Sequence, residues 1–261
     1  MAYDLSAISS EARLQAPRII LLGVEKIGKT TFAAGADSPI LIPIKGEEGA
    51  DALSVAKTPT CNSFADVLGW LYSIYEAPNQ YGTIILDSAS ALEPLVWADT
   101  CQRNGDVASI EKVGGGYGKG YTESLYSWRK ITEALDAMRS VKGMASIVIG
   151  HVKVKRFDDP AGDSYDQYQF DVNDKAANLL FRWADAILFC NTKVVVRKED
   201  VGFKKEKHRG IDIAEGQRFL YTQKRPAHPG GGRGVYGRLP YELPLNWTAF
   251  RDAVSAASAC V

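Results

Sequence analysis

The sequence is poor in the residues that build metal centres and disulfide frameworks. It holds three histidines and four cysteines, and Cys61, Cys101, Cys190 and Cys260 are scattered, with no CxxC pair and no histidine at zinc-ligand spacing. A His-rich site is ruled out, and the thiols are expected to be structural. Neither sign of charge is in excess, with 31 Lys and Arg against 31 Asp and Glu. Nothing therefore draws the whole chain toward nucleic acid or a membrane, and a polyanion site must be a local patch. No apolar run approaches the roughly 18 residues of a spanning helix. The opening MAYDLSAISS has neither the basic region nor the apolar stretch of a secretion signal. A soluble, cytoplasmic protein is the expectation. Internal repeats and low-complexity linkers are also missing.

What is present is enough apolar residue, 46% of 261, to fill the core of one large domain. RIILLG (18–23), ILIPI (40–44), TIILD (83–87), SIVIG (146–150) and WADAILFC (183–190) are short apolar runs bounded by turn residues, the pattern of strands buried on both faces. Helical stretches lie between them, at 63–76 with Ser63 as cap and from about Thr122 to Arg139. This alternation predicts an α/β fold with a doubly wound, mainly parallel sheet and helices on both faces. Residues 1–17 read as an N-terminal arm with Tyr3, Leu5, Ile8 and Leu14 as docking side chains, and 18–192 as the core. KVVVRKED (193–200) and QRFLYTQKR (217–225) suggest a C-terminal β-hairpin extension over 193–246, and 247–261 a terminal helix and tail. Two long insertions, at 103–121 and from Lys153 to about Asp174, follow strand ends, where open α/β sheets place ligands.

The strongest local signal is LLGVEKIGKTTF: Gly23, four residues, then Gly28, Lys29, Thr30 and Thr31, directly after a buried strand. This is the spacing of a P-loop. Its glycines let backbone N–H groups turn inward around phosphate oxygens, its lysine reaches the β- and γ-phosphates, and its threonine offers a hydroxyl to Mg²⁺. Gly23, Val24, Glu25, Lys26, Ile27, Gly28, Lys29, Thr30 and Thr31 are thus the expected nucleotide loop, with ATP and Mg²⁺ as ligands. A second carboxylate is needed to hold the metal's water shell. Asp87 supplies one at the end of an apolar strand, 58 residues beyond Lys29.

GVEKIGKTT resembles the nucleotide loop of RecA-type recombinases, and ILDSASAL resembles their Walker B strand. The resemblance covers roughly residues 18–190 and implies a RecA-like P-loop NTPase core. With Gly150-His151 ending a strand and TQKRPAHPGGGRG near the C-terminus, the chain is also similar to phage-encoded RecA-like ATPases of the single-strand annealing group. The resemblance implies a catalytic carboxylate after the second strand, where KGEEGADAL offers Glu47 or Glu48. The family's usual Asp before that Glu is replaced by Lys45-Gly46. It implies a γ-phosphate sensor at His151, where the family more often has Gln. It also places Lys224 and Arg225 where RecA-type subunits reach a neighbour's ATP, and so implies a homo-oligomer, ring or filament.

For single-stranded DNA, Lys112 and Lys119 among glycines, with Tyr117 and Tyr121, combine charge, flexible backbone and stacking rings. Lys153, Lys155 and Arg156 open the second insertion, which then turns acidic from Asp158 to Asp174 and would repel phosphate. The stretch 197–238 carries eleven Lys and Arg against five Asp and Glu, a local basic footprint. The reading is a Mg²⁺-dependent, DNA-stimulated ATPase acting on single-stranded DNA in phage recombination or annealing, with a single-strand-binding protein as a further partner. The rivals are a P-loop kinase of a small substrate and a nucleotide-switched scaffold with little turnover.

Overall fold

Nine strands assemble into one sheet whose core is built by the apolar runs seen in the sequence. The computed structural model describes residue 4 and residues 15–47, 49–160, 162–200, 206–212 and 216–259. Tyr3, Leu5, Ile8, Leu14, Glu48 and Cys260 lie outside the described residues. β1 (Arg18–Gly23) sits between β5 (Ala145–Gly150) and β8 (Ala186–Thr192), parallel to both. β4 (Thr83–Asp87) pairs parallel with β5 on one side and β2 (Pro39–Pro43) on the other, and the short β3 (Ala56–Lys57) closes that edge. One strand therefore separates the strand that ends in Gly23 from the strand that ends in Asp87.

α1 (Lys29–Ala34), α2 (Phe64–Glu76), α3 (Ala89–Arg103), α5 (Leu125–Lys142) and α6 (Asp174–Trp183) connect these strands. α2 starts where expected, because the Ser63 hydroxyl accepts from the Asp66 N–H while the Asp66 carboxylate accepts from the Ser63 N–H. Two apolar clusters occupy the two faces of the sheet. One packs Ile20, Leu22, Ile84 and Leu86 against Leu71, Trp128 and Leu180. The other packs Leu21, Ile85 and Ile147 against Phe32 and Phe250. The doubly wound, mainly parallel α/β sheet with helices on both faces is thus the observed fold.

Two regions differ from the sequence expectation. The segment after His151 is no open loop: β6 (Val152–Phe157) and β7 (Tyr165–Phe170) form an antiparallel hairpin. Lys153 pairs with Asp171 at 3.2 Å and Lys155 with Asp174 at 3.2 Å, so part of the acidic run neutralises the basic strand facing it. At the C-terminus, β9 (Val194–Asp200) takes β10 (Glu206–Asp212) as its hairpin partner, not the strand near 217. That strand, β11 (Arg218–Tyr221), joins the main sheet antiparallel to β8. The two-residue β12 (Gly231–Gly232) also pairs with β8. β13 (Glu242–Pro244) pairs with β11, and α7 (Trp247–Ser258) packs its Phe250 and Trp247 rings on Phe32 of α1.

A candidate nucleotide site at the strand ends

Four parallel strands end around one cavity of about 500 Å³, and each contributes a different chemical group. β1 leads into the glycine loop. Gly23 must be glycine because a Cβ there would lie 2.6 Å from the Cys190 carbonyl oxygen on β8. Gly28 has φ +105°, in the left-handed region, and Lys26 reaches the same region at φ +57°. Together they turn the backbone back on itself. α1 is only six residues long, so most of the site's positive potential must come from the loop's N–H groups and from Lys29 rather than from a long helix dipole.

Lys29 is buried, and its Nζ donates to the Gly23 and Val24 carbonyl oxygens, both at 2.9 Å. Burial pushes its ammonium below the usual lysine value, against the attraction of Asp87 and Glu47. Thr30 Oγ1 donates to Asp87 Oδ2 at 2.8 Å, joining the loop to the end of β4. Asp87 is 3% exposed. Burial raises its carboxyl above the usual range, with the Thr30 hydrogen bond opposing and the Glu47 charge adding to the shift.

Glu47, after β2, lines the cavity and is held from two sides. Ser88 Oγ donates to Glu47 Oε1 at 2.5 Å, and His151 Nε2 donates to the same oxygen at 2.7 Å. Burial disfavours the Glu47 charge, but these hydrogen bonds and the nearby Lys29 outweigh it and bring the carboxyl below its ordinary value. Two carboxylates in one cavity therefore titrate apart: Glu47 is the readily ionised one. His151 is fixed in turn, since its backbone N–H donates to Ser90 Oγ at 3.0 Å. Its Nδ1 is buried and has no hydrogen-bond partner among the described residues.

The nine loop residues do not all face the cavity. Glu25, Lys26, Gly28, Lys29, Thr30 and Thr31 line it, the Gly23 and Val24 carbonyls hold Lys29, and the Ile27 side chain is buried in the core. Sequence reasoning missed Ser88, Ser90 and Arg218. Ser88 caps α3 by accepting from the Ala91 N–H while donating to Glu47, a double role that a Ser directly after Asp87 could have suggested. Arg218 Nη1 donates to the Ile27 carbonyl at 3.2 Å across 191 residues of sequence, and no local pattern announces that contact.

The residues expected to meet DNA or a neighbouring subunit do not line this cavity. Lys112 and Lys119 are exposed, on a kinked 3₁₀ segment (Ile110–Gly115) and on α4 (Lys119–Glu123). Tyr117 between them is fully exposed, whereas the Tyr121 ring meets Trp97 edge-on with centroids 5.6 Å apart. Lys153, Lys155 and Arg156 are exposed on β6. Lys224 and Arg225 are exposed as well, and the Arg225 guanidinium lies 4.2 Å from the centre of the Tyr241 ring. Of the basic stretch 197–238, residues 201–205 and 213–215 lie outside the described residues.

The donor set fits a nucleotide with a divalent cation. A hydroxyl and a carboxylate are already linked to each other, and a buried lysine stands beside them. Among the described residues no cluster of three or more His, Cys, Asp or Glu could cage a metal. A Mg²⁺ ion here would therefore rely on Thr30, on Asp87 and on phosphate oxygens, as Mg²⁺ commonly does.

No curated protein matches the chain. Among solved structures, the crystal structure of the RadB recombinase is similar at 14% identity, covering 77% of this chain and 90% of that one with a TM-score of 0.38. A family model described as an AAA domain, AAA_24, matches residues 15–234. That match takes in every element of the cavity, and the chain belongs to the AAA_24 family of nucleotide-binding P-loop ATPase domains.

Proposed function

We infer that the chain hydrolyses ATP with Mg²⁺ and couples hydrolysis to single-stranded DNA in recombination or annealing. The observation that carries the hydrolytic part is the Glu47 carboxylate, ionised and clamped by Ser88 and His151 in the cavity that also holds Lys29, Thr30 and Asp87. Oε1 is occupied by two donors, so Oε2 is the atom left to take a proton from an attacking water. Lys29 neutralises charge on the β- and γ-phosphates, and Mg²⁺, when bound by Thr30 and Asp87, spreads the charge on the same oxygens. His151 lines the cavity while its Nε2 holds Glu47, so a γ-phosphate would be sensed through the Glu47–His151 pair. A change at the phosphate would thereby reach β6, whose first residue follows His151 directly.

The fully exposed Tyr117 between Lys112 and Lys119 supports single-strand binding by stacking and charge. Arg156 on the hairpin, with Lys153 and Lys155 beside it, would add to the charge. Lys224 and Arg225 stand clear of their own chain's cavity, which suits fingers that complete a neighbour's site in an oligomer. The test is phosphate release with Mg²⁺, with and without a single-stranded oligonucleotide. Hydrolysis stimulated by DNA is expected. Phosphate passed to a small acceptor would favour a kinase, and tight binding without turnover would favour a switched scaffold.

A further inference from the structure

A second, smaller cavity of about 260 Å³ adjoins the nucleotide site and is built mainly by the C-terminal part of the chain. Gly28 and Thr31 line both cavities, so the two meet at the end of the glycine loop. The far wall comes from Arg218 at the start of β11 and from Leu245, Asn246, Trp247 and Thr248 around the start of α7. These pieces are fixed together: the Leu245 N–H donates to the Arg218 carbonyl at 3.0 Å, and the Asn246 Oδ1 accepts from the Ala249 N–H at 2.8 Å. The Arg218 guanidinium is pinned against the loop, since a Cβ on Gly28 would lie 2.8 Å from its Nη1.

The chemistry of this wall is that of a planar, acceptor-bearing ring. Guanidinium is flat and stacks on aromatic faces. Leu245 offers an apolar surface. The Asn246 carbonyl oxygen is used by the helix cap, which leaves its amide N–H₂ to donate. A cavity of this size falls just below the roughly 300–1,000 Å³ of complete ligand sites and suits one heterocycle rather than a whole nucleotide. The polyphosphate part already has its place beside Lys29.

We propose that this cavity is the nucleobase subsite, with Arg218 stacked on the base and the Asn246–Thr248 segment reading its edge. The proposal rests on the nucleotide reading of the first cavity. Arg218 then becomes a specificity residue, and the C-terminal antiparallel strands select the base while the parallel core holds the phosphates.

Calorimetric titration of the intact protein with Mg²⁺·ATP and with Mg²⁺·tripolyphosphate separates the two ideas. Arg218→Ala should weaken ATP binding at least tenfold and leave tripolyphosphate binding within about twofold. Equal weakening of both would overturn the proposal and make Arg218 a prop for the loop. Binding of neither ligand by the wild-type protein would overturn the nucleotide reading and this proposal with it. Should Arg218→Ala misfold, tryptophan fluorescence of the wild type decides: ATP should change an emission component that is lost in Trp247→Phe, and tripolyphosphate should not. The same change from both ligands, or none from ATP at a bound fraction established by calorimetry, would contradict the subsite.

Discussion

Replacing Glu47 by Gln removes one negative charge and keeps the amide oxygen that can still accept from Ser88 Oγ and His151 Nε2. The local frame should therefore survive, and what is lost is the ability to take a proton. Positioned general bases contribute about 10²- to 10⁴-fold in rate, or roughly 2.7–5.4 kcal/mol of barrier at about 1.36 kcal/mol per decade. The Glu47→Gln protein should thus show kcat reduced by about 10²- to 10⁴-fold, measured as phosphate release at saturating Mg²⁺·ATP. Its affinity for ATP should hold or improve, because a carboxylate has been removed from a cavity meant for a polyanion. Glu48→Gln should turn over normally. A second readout is the pH profile: the Glu47 carboxyl lies below its ordinary value, so the acidic limb of kcat should fall below the usual glutamate range of about 4.3. Wild-type turnover in a folded Glu47→Gln protein would refute the assignment of the base.

Three further outcomes are expected. The buried Glu93 carboxyl is pushed up to about 7 from 4.5, chiefly by burial, although the Asn173 N–H donates to it at 2.7 Å. The folded state then holds a proton that the unfolded state has released, so stability should fall as pH rises from about 4.5 to about 7 and level off above, by up to about 3 kcal/mol. Glu93→Gln should flatten that dependence and be more stable than wild type in urea at pH 8; lower stability there would contradict the reasoning. Tyr117→Ala should cost single-stranded DNA affinity about 1–3 kcal/mol, and Lys112→Ala with Lys119→Ala should lessen the slope of log K against log salt by about 1.4, both read by anisotropy of a labelled oligonucleotide. Finally, a Lys224→Ala, Arg225→Ala protein should bind ATP but hydrolyse it slowly, and mixing it with Lys29→Ala should restore activity; hydrolysis per subunit independent of concentration, with no rescue, would leave these residues outside the site.

The parts of the site legible in the sequence are those that chemistry confines to a few consecutive residues. A loop that wraps phosphates needs its glycines, lysine and threonine at fixed spacing, and Asp87 is marked by ending an apolar strand. Glu47 could be narrowed only to a pair. What places Glu47 in the cavity is contact with Ser88 and His151, 41 and 104 residues away. The β6–β7 hairpin escaped because β6 is exposed along most of its length, so charged residues replace the alternation that marks a strand with one buried face. α3 was hidden by Pro94 in its first half, a residue that ordinarily ends a helical pattern. The partner of β9 was misassigned for a related reason: several short runs compete as hairpin partners, and pairing depends on contacts that composition does not encode.

The most direct test of the account is phosphate release from Mg²⁺·ATP by the wild-type protein, beside Lys29→Ala and Asp87→Asn proteins shown to be folded by circular dichroism. The cavity at the strand ends predicts turnover by the wild type, its loss in Lys29→Ala with the buried ammonium removed, and a weakened Mg²⁺ dependence in Asp87→Asn. Equal turnover by wild type and Lys29→Ala would contradict it.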